Sequence, residues 1–267
     1  MEMNSRDRQL RAFDRLLNIM DDLRAKCPWD REQTFESLRN LTIEETYELA
    51  DAIIENNHSG IRKELGDLLL HIVFYAKIGS EKGLFDIADI ANSLAEKLIF
   101  RHPHVFGDTK VKNSTDVKEN WEELKMKESI NHTVLGGVPK SLPAMIKANR
   151  IQEKVKAVGF DWEEPGQIWE KVNEELSELK EVINSGEIER IEDEFGDLFF
   201  SIINAARLYK IDPETALERT NLKFIKRFKY LEKETLHSGK NLREMSLDEM
   251  NKIWEQAKNF DDPIAKD

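Results

Sequence analysis

Five acidic residues occur twice in this chain at one fixed spacing. Glu44, Glu45, Glu48, Glu64 and Asp67, each moved on by 130 positions, become Glu174, Glu175, Glu178, Glu194 and Asp197. Gly66 likewise meets Gly196, and Leu68 meets Leu198. Downstream, Lys97 and Arg101 correspond to Lys223 and Arg227 at an offset of 126, and Trp121-Glu122 corresponds to Trp254-Glu255 at 133. Order is kept while the offset drifts, as expected of duplicated units that differ in loop length. A Trp also precedes each acidic motif, Trp29 in Cys27-Pro28-Trp29-Asp30 and Trp162 in Gly159-Phe160-Asp161-Trp162.

The repeated segments have the period of amphipathic helices. Phe13, Leu16, Leu17, Met20 and Leu23 fall on one helical face, as do Ile43, Tyr47, Ala50 and Ile54. Asn56-Asn57-His58-Ser59-Gly60 reads as a turn, after which Ile61, Leu65, Leu68, Leu69, Ile72, Val73 and Ala76 form another stripe. Two helices joined by a short turn make an antiparallel hairpin. No sustained period-2 pattern marks a strand, so the expected class is all-α. A lone hairpin cannot bury its apolar face, whereas two can pack as a four-helix bundle. The glycines and prolines of Val134-Leu135-Gly136-Gly137-Val138-Pro139 through Pro143 mark a linker or turn between the halves. The expected organisation is an N-terminal domain over 1–128, a linker over 129–143 and a C-terminal domain over 144–267.

On a helix, residues three and four apart share a face. Glu44, Glu45 and Glu48 therefore cluster on the first helix of a hairpin, and Glu64 and Asp67 on the second. Five converging carboxylates without nearby cations would repel one another, and burial would raise their pKa values. A divalent cation removes that cost, and an oxygen-only ligand set suits Mg²⁺ or Mn²⁺. The di-iron pattern of ferritin-like bundles needs Glu-x-x-His, and here the second pair is Glu-x-x-Asp. A single Glu-Glu-x-x-Glu is ordinarily a solvated helix face. Here the second pair sits within Leu65-Gly66-Asp67-Leu68 and Phe195-Gly196-Asp197-Leu198, where an unpaired Asp is costly.

The formal net charge of −12 argues against nucleic-acid or membrane-surface binding, which calls for a basic face. It leaves open a polyanionic ligand held through a bridging cation. Cys27 is the only cysteine, so no intramolecular disulfide is expected and a reducing cytoplasm is the default compartment. Met1–Arg11 is polar and does not read as a signal peptide. The apolar runs are too short to span a bilayer.

Glu-Glu-x-x-Glu followed sixteen positions later by Glu-x-x-Asp resembles the MazG family of all-α nucleoside triphosphate pyrophosphohydrolases. So do Cys27-Pro28-Trp29-Asp30, Arg101-His102-Pro103-His104-Val105-Phe106, Val158-Gly159-Phe160-Asp161-Trp162 and the two Lys-x-x-x-Arg pairs. The resemblance runs from about Arg15 to Trp254 and is to the two-domain bacterial form. It implies hydrolysis of a nucleoside triphosphate to the monophosphate and diphosphate, and a homodimer in which like domains pair.

It also implies site roles. Glu175, Glu178, Glu194 and Asp197 would hold Mg²⁺ in the second half, with Glu45, Glu48, Glu64 and Asp67 as counterparts in the first. Lys223 and Arg227 would meet the triphosphate and Trp254 would line the nucleotide pocket, matched by Lys97, Arg101 and Trp121. Glu174 would orient or deprotonate the attacking water, or stand behind the ligands. The family pattern assigns the main catalytic role to the C-terminal copy, although all five acids are present in both. The competing expectation is a catalytically silent regulatory protein that keeps the motif as a metal-stabilised scaffold.

Other residues suggest less. His102 and His104 lack the cysteine partners of a structural zinc site and read as local packing. His71 reads as a hydrogen-bonded core histidine. Cys27 has no paired base in sequence. Trp29 and Trp162 suit base stacking and helix packing equally.

Overall fold

The computed structural model describes residues 5–111, 113, 117, 120, 121, 124 and 133–260. Glu122 and residues 129–132 of the expected linker lie outside the described residues, as do both chain ends. The chain is all-α, with no strand among the described residues. It divides into two compact units, Met1–Trp121 and Glu122–Asp267.

In the first unit, α1 (Ser5–Lys26) and the short α2 (Pro28–Glu32) precede a hairpin of α3 (Phe35–Ile54) and α4 (His58–Glu81). α5 (Ile87–Arg101) and the single-turn α6 (Pro103–Phe106) follow. Apolar stripes meet where α1, α3 and α4 face one another. Met20, Leu38, Val73, Phe74 and Ile78 are fully buried there, with Phe13, Leu16, Leu17 and Phe35 packed around them. Thr34 caps α3 through a reciprocal bond with Ser37.

The hairpin turn is shorter than the expected Asn56–Gly60. The Asn57 side chain accepts the Gly60 N–H at 3.0 Å, so α4 already starts at His58. A Cβ on Gly60 would stand 2.8 Å from the Asn57 Nδ2 and 3.1 Å from the Ala52 Cβ, so glycine is what lets the cap form.

In the second unit, α7 (Ala144–Lys156) precedes a hairpin of α8 (Ile168–Val182) and α9 (Ile188–Leu208). α10 (Pro213–His237) and α11 (Leu247–Ala257) follow. Ile168, Val172 and Ala205 form the buried centre, lined by Leu198 and Leu208. α7 packs on α9 and α10, and the Gln152 amide donates to the Phe200 carbonyl at 2.9 Å. Gly159, at φ 86°, turns the chain out of α7 in a conformation other residues avoid. The turn lets the Asp161 carboxylate meet the Arg207 guanidinium of α9 through both terminal nitrogens. The Gly-Gly stretch is tied to this unit, since Lys154 donates to the Val134 and Gly136 carbonyls at 3.3 Å. Each unit thus sets one hairpin between a preceding and a following helix, the packing of a four-helix bundle.

Candidate metal and nucleotide site

Both hairpins gather acids at the level where their two helices face each other. In the first unit, Glu45 of α3 meets Glu64 and Asp67 of α4, with one carboxylate oxygen from each lying within 4.8 Å of the others. In the second unit, Glu175 of α8 meets Glu194 and Asp197 of α9 under the same limit. Glu44, Glu48, Glu174 and Glu178 stand outside these tight triplets. Burial, then the charges of Glu175, Glu194 and Glu174, push the Glu178 carboxyl above its ordinary value. Burial and then Asp67, Glu48 and Glu64 do the same to Glu45.

The most buried acid differs between the copies. In the first unit it is Glu64 on the second helix, 7% exposed. In the second it is Glu175 on the first helix, 6% exposed. Each is neutralised by a lysine that sequence reasoning passed over, so the premise of carboxylates without nearby cations is corrected. Lys63 lies 3.0 Å from both oxygens of Glu64, 3.6 Å from Asp67 and 3.7 Å from Glu48. Lys171 lies 2.7 Å from Glu175 and 2.9 Å from Glu174. Hydrogen bonds to these carboxylates raise both ammonium groups above their ordinary pKa. The available signal was local spacing, since Lys63 precedes Asp67 by four residues and Lys171 precedes Glu175 by four.

The donor set fits a hard divalent cation. Ligand oxygens of an octahedral Mg²⁺ stand about 3 Å apart when adjacent and about 4 Å when opposed, so triplets within 4.8 Å close on one by drawing their side chains inward. In the Glu175, Glu194 and Asp197 triplet, Lys171 holds Glu175 from their shared helix, while Glu194 and Asp197 come from the opposite one. In the Glu45, Glu64 and Asp67 triplet, Lys63 holds two of the three acids, Glu64 and Asp67, and also reaches Glu48 across the hairpin.

The downstream repeat also takes shape. Arg101 sits over the Trp121 ring at 5.5 Å from its centroid, and Arg227 sits over Trp254 at 5.7 Å. Phe224 adds a third ring, 4.9 Å from Trp254. Lys223 lies one turn before Arg227 on α10, which packs against α9. Lys97 lies one turn before Arg101 on α5, which packs against α4.

The family model for the MazG nucleotide pyrophosphohydrolase domain matches residues 33–106 and 164–231. The chain belongs to the MazG family. A Thermotoga maritima protein named nucleoside triphosphate pyrophosphohydrolase/pyrophosphatase MazG is 44% identical over 254 residues, covering 94% of this chain and 97% of that one. The nucleoside triphosphate pyrophosphohydrolase of Escherichia coli K12 is 40% identical over 257 residues, covering 93% and 98%. The Bacillus subtilis protein YabN, described as uncharacterized, is 44% identical over 251 residues, which is 92% of this chain and 51% of its own length. Both MazG matches contain a full set of five acids and a Lys-x-x-x-Arg pair, while Trp121 and Trp254 lie beyond their ends.

The remaining residues of this MazG chain take structural places. The His102 Nδ1 lies 2.6 Å from the Leu98 carbonyl, and its ring meets Trp121 edge-on, so it ties the end of α5 to Trp121. His71 is a core histidine, buried beside Tyr75, and its Nδ1 has no hydrogen-bond partner. Cys27 precedes α2 as its N-cap residue. Trp29 and Trp162 are exposed. No helix among the described residues is long and apolar enough to cross a membrane.

Proposed function

We propose that this chain is a Mg²⁺-dependent nucleoside triphosphate pyrophosphohydrolase acting on a broad range of ribo- and deoxynucleotides, with Mn²⁺ as an alternative ion. Its main active site is in the C-terminal unit. The observation that carries this reading is the Glu175, Glu194 and Asp197 triplet, drawn from both helices of a hairpin in which Lys171 bonds Glu174 and Glu175 of the first helix. The names of the Thermotoga and Escherichia relatives give the reaction.

Glu175, Glu178, Glu194 and Asp197 hold the ion in this reading, and Glu45, Glu48, Glu64 and Asp67 are their N-terminal counterparts. When bound, the ion neutralises phosphate charge and makes a bound water more acidic. Hydrolysis between the α- and β-phosphates then depends on positioning and charge neutralisation more than on covalent help. Lys223 and Arg227 engage the leaving diphosphate, and Trp254 stacks on the base. Glu174, held by Lys171, orients the attacking water. Lys97, Arg101 and Trp121 keep the same arrangement in the N-terminal unit.

The proposed domains are 1–128 and 144–267, joined by 129–143. Exposed Phe199 on the second unit supports pairing of like domains in a homodimer. The single cysteine suits a reducing cytoplasm.

The deciding measurement is diphosphate release from a panel of ribo-, deoxy- and oxidised nucleoside triphosphates with Mg²⁺ and with EDTA. Glu178→Ala is expected to lose most of the activity and Glu48→Ala little. Equal loss would remove the C-terminal assignment. No Mg²⁺-dependent release from any substrate would favour a silent metal-stabilised scaffold.

A further inference from the structure

The two acidic clusters differ in where their fixed positive charge sits. Lys171 bonds Glu174 and Glu175, both on its own helix α8. Lys63 belongs to the second helix of its hairpin and spans the cleft, meeting Glu64 and Asp67 on α4 and Glu48 on α3. A divalent ion bridging the hairpin would draw on the same two helices.

The repeat sharpens the contrast. At the offset of 130, Ile61-Arg62-Lys63-Glu64 aligns with Ile191-Glu192-Asp193-Glu194. Two cationic residues before the shared Glu in one copy are two anionic residues in the other. The first copy therefore lowers the negative potential at its acids, and the second deepens it.

We propose that Lys63 is a built-in counter-ion, a tethered ammonium in the cation position of the N-terminal cluster, so that only the C-terminal cluster loads a divalent ion at ordinary concentrations. This rests on the reading of the acidic triplets as metal-binding.

The buried Glu64 carboxylate needs a partner, and Lys63 supplies one without any diffusible ion. Because the ammonium is attached to the next residue, its local concentration is far above that of free Mg²⁺. An incoming ion must displace it and then bear its repulsion. The N-terminal hairpin keeps its buried acid paired, while the C-terminal acids Glu194 and Asp197 keep their capacity for metal.

The test is Mn²⁺ binding to the full chain, read from the electron paramagnetic resonance signal of free Mn²⁺. Glu194→Gln/Asp197→Asn disables the C-terminal cluster and isolates the other. With Lys63 present, this double variant is expected to lose the tight Mn²⁺ site of the wild-type chain. Adding Lys63→Asp, the residue found at position 193, is expected to restore a site and tighten N-terminal binding by about tenfold or more. Lys63→Met is expected to give a smaller gain of the same sign. The Lys63 side chain is 65% exposed, so both changes leave the packed core untouched, and a thermal melt confirms each fold.

Tight Mn²⁺ binding by the double variant with Lys63 intact would overturn the proposal. So would the absence of any gain on removing Lys63 from a chain that binds Mn²⁺ at its C-terminal cluster. No Mn²⁺ binding by the wild-type chain would instead overturn the underlying metal reading, and the proposal with it.

Discussion

The Arg227 guanidinium lies over the face of Trp254, 5.7 Å from the ring centroid. Arg101 lies over Trp121 at 5.5 Å in the other unit. An Arg placed this way is oriented by the ring before any phosphate arrives, and its planar fork can still form hydrogen bonds.

Trp254→Ala should therefore weaken substrate binding twice over, through lost stacking and a loosened Arg227. The expected effect is a rise in KM of about tenfold, from roughly 1–2 kcal/mol of aromatic contact, with kcat reduced less. Steady-state kinetics check it; a pure kcat effect would remove Trp254 from the nucleotide pocket.

Arg227→Lys keeps the charge and loses the fork. It should lower kcat/KM by about tenfold or more, since bidentate phosphate recognition is not transferable to lysine. Arg101→Lys should change turnover by less than twofold, and a matching loss would mean that the N-terminal copy also turns over substrate.

Asp161 couples the Gly-Phe-Asp-Trp segment to α9. Burial alone would raise its pKa, but the Arg207 hydrogen bond and charge, the Trp162 N–H and Lys156 outweigh that and hold it below its ordinary 3.8. A carboxyl depressed in the folded state contributes fully above its unfolded pKa and loses that contribution as pH falls through its folded one. Stability from this pair should thus be constant near neutrality and decline below about pH 4. Asp161→Asn should cost about 2 kcal/mol at pH 7, with a smaller penalty in acid. Denaturant melts at pH 7 and pH 3 provide the comparison, and an equal penalty at both would contradict the charge-based account.

Two glycines of α4 should respond with opposite signs. A Cβ at Gly60 meets the capping Asn57 side chain, so Gly60→Ala should destabilise by about 1 kcal/mol. A Cβ at Gly66 meets nothing within 4 Å, so Gly66→Ala should stabilise by about 0.5–1 kcal/mol. Thermal melts of the two variants side by side decide it. A loss at Gly66 would indicate that another surface approaches that helix closely.

The helices and the acidic faces were legible because apolar period and acid spacing are both local. Glu45 and Glu48, or Glu175 and Glu178, look alike on a helical wheel. Which of each pair meets the opposite helix depends on how the hairpin crosses, and that is set by packing around residues such as Phe74 and Val172. His58, Ser59 and Gly60 read as turn because their own propensities favour one, while a single Asn57 side-chain bond commits them to α4. Lys63 and Lys171 were passed over because a lysine four residues from an acid is common on any exposed helix. Only the folded hairpin distinguishes one that spans the cleft from one that stays on its own side.

The two lysines occupy opposite arms of otherwise matching hairpins, Lys63 on α4 and Lys171 on α8. Their placement makes the second helices unequal as interchangeable parts. Grafting 188–208 onto α3 would yield a hairpin carrying neither ammonium, whereas grafting 58–81 onto α8 would yield one carrying both. A protein engineer exchanging these segments would redistribute the chain's internal charge without altering its composition.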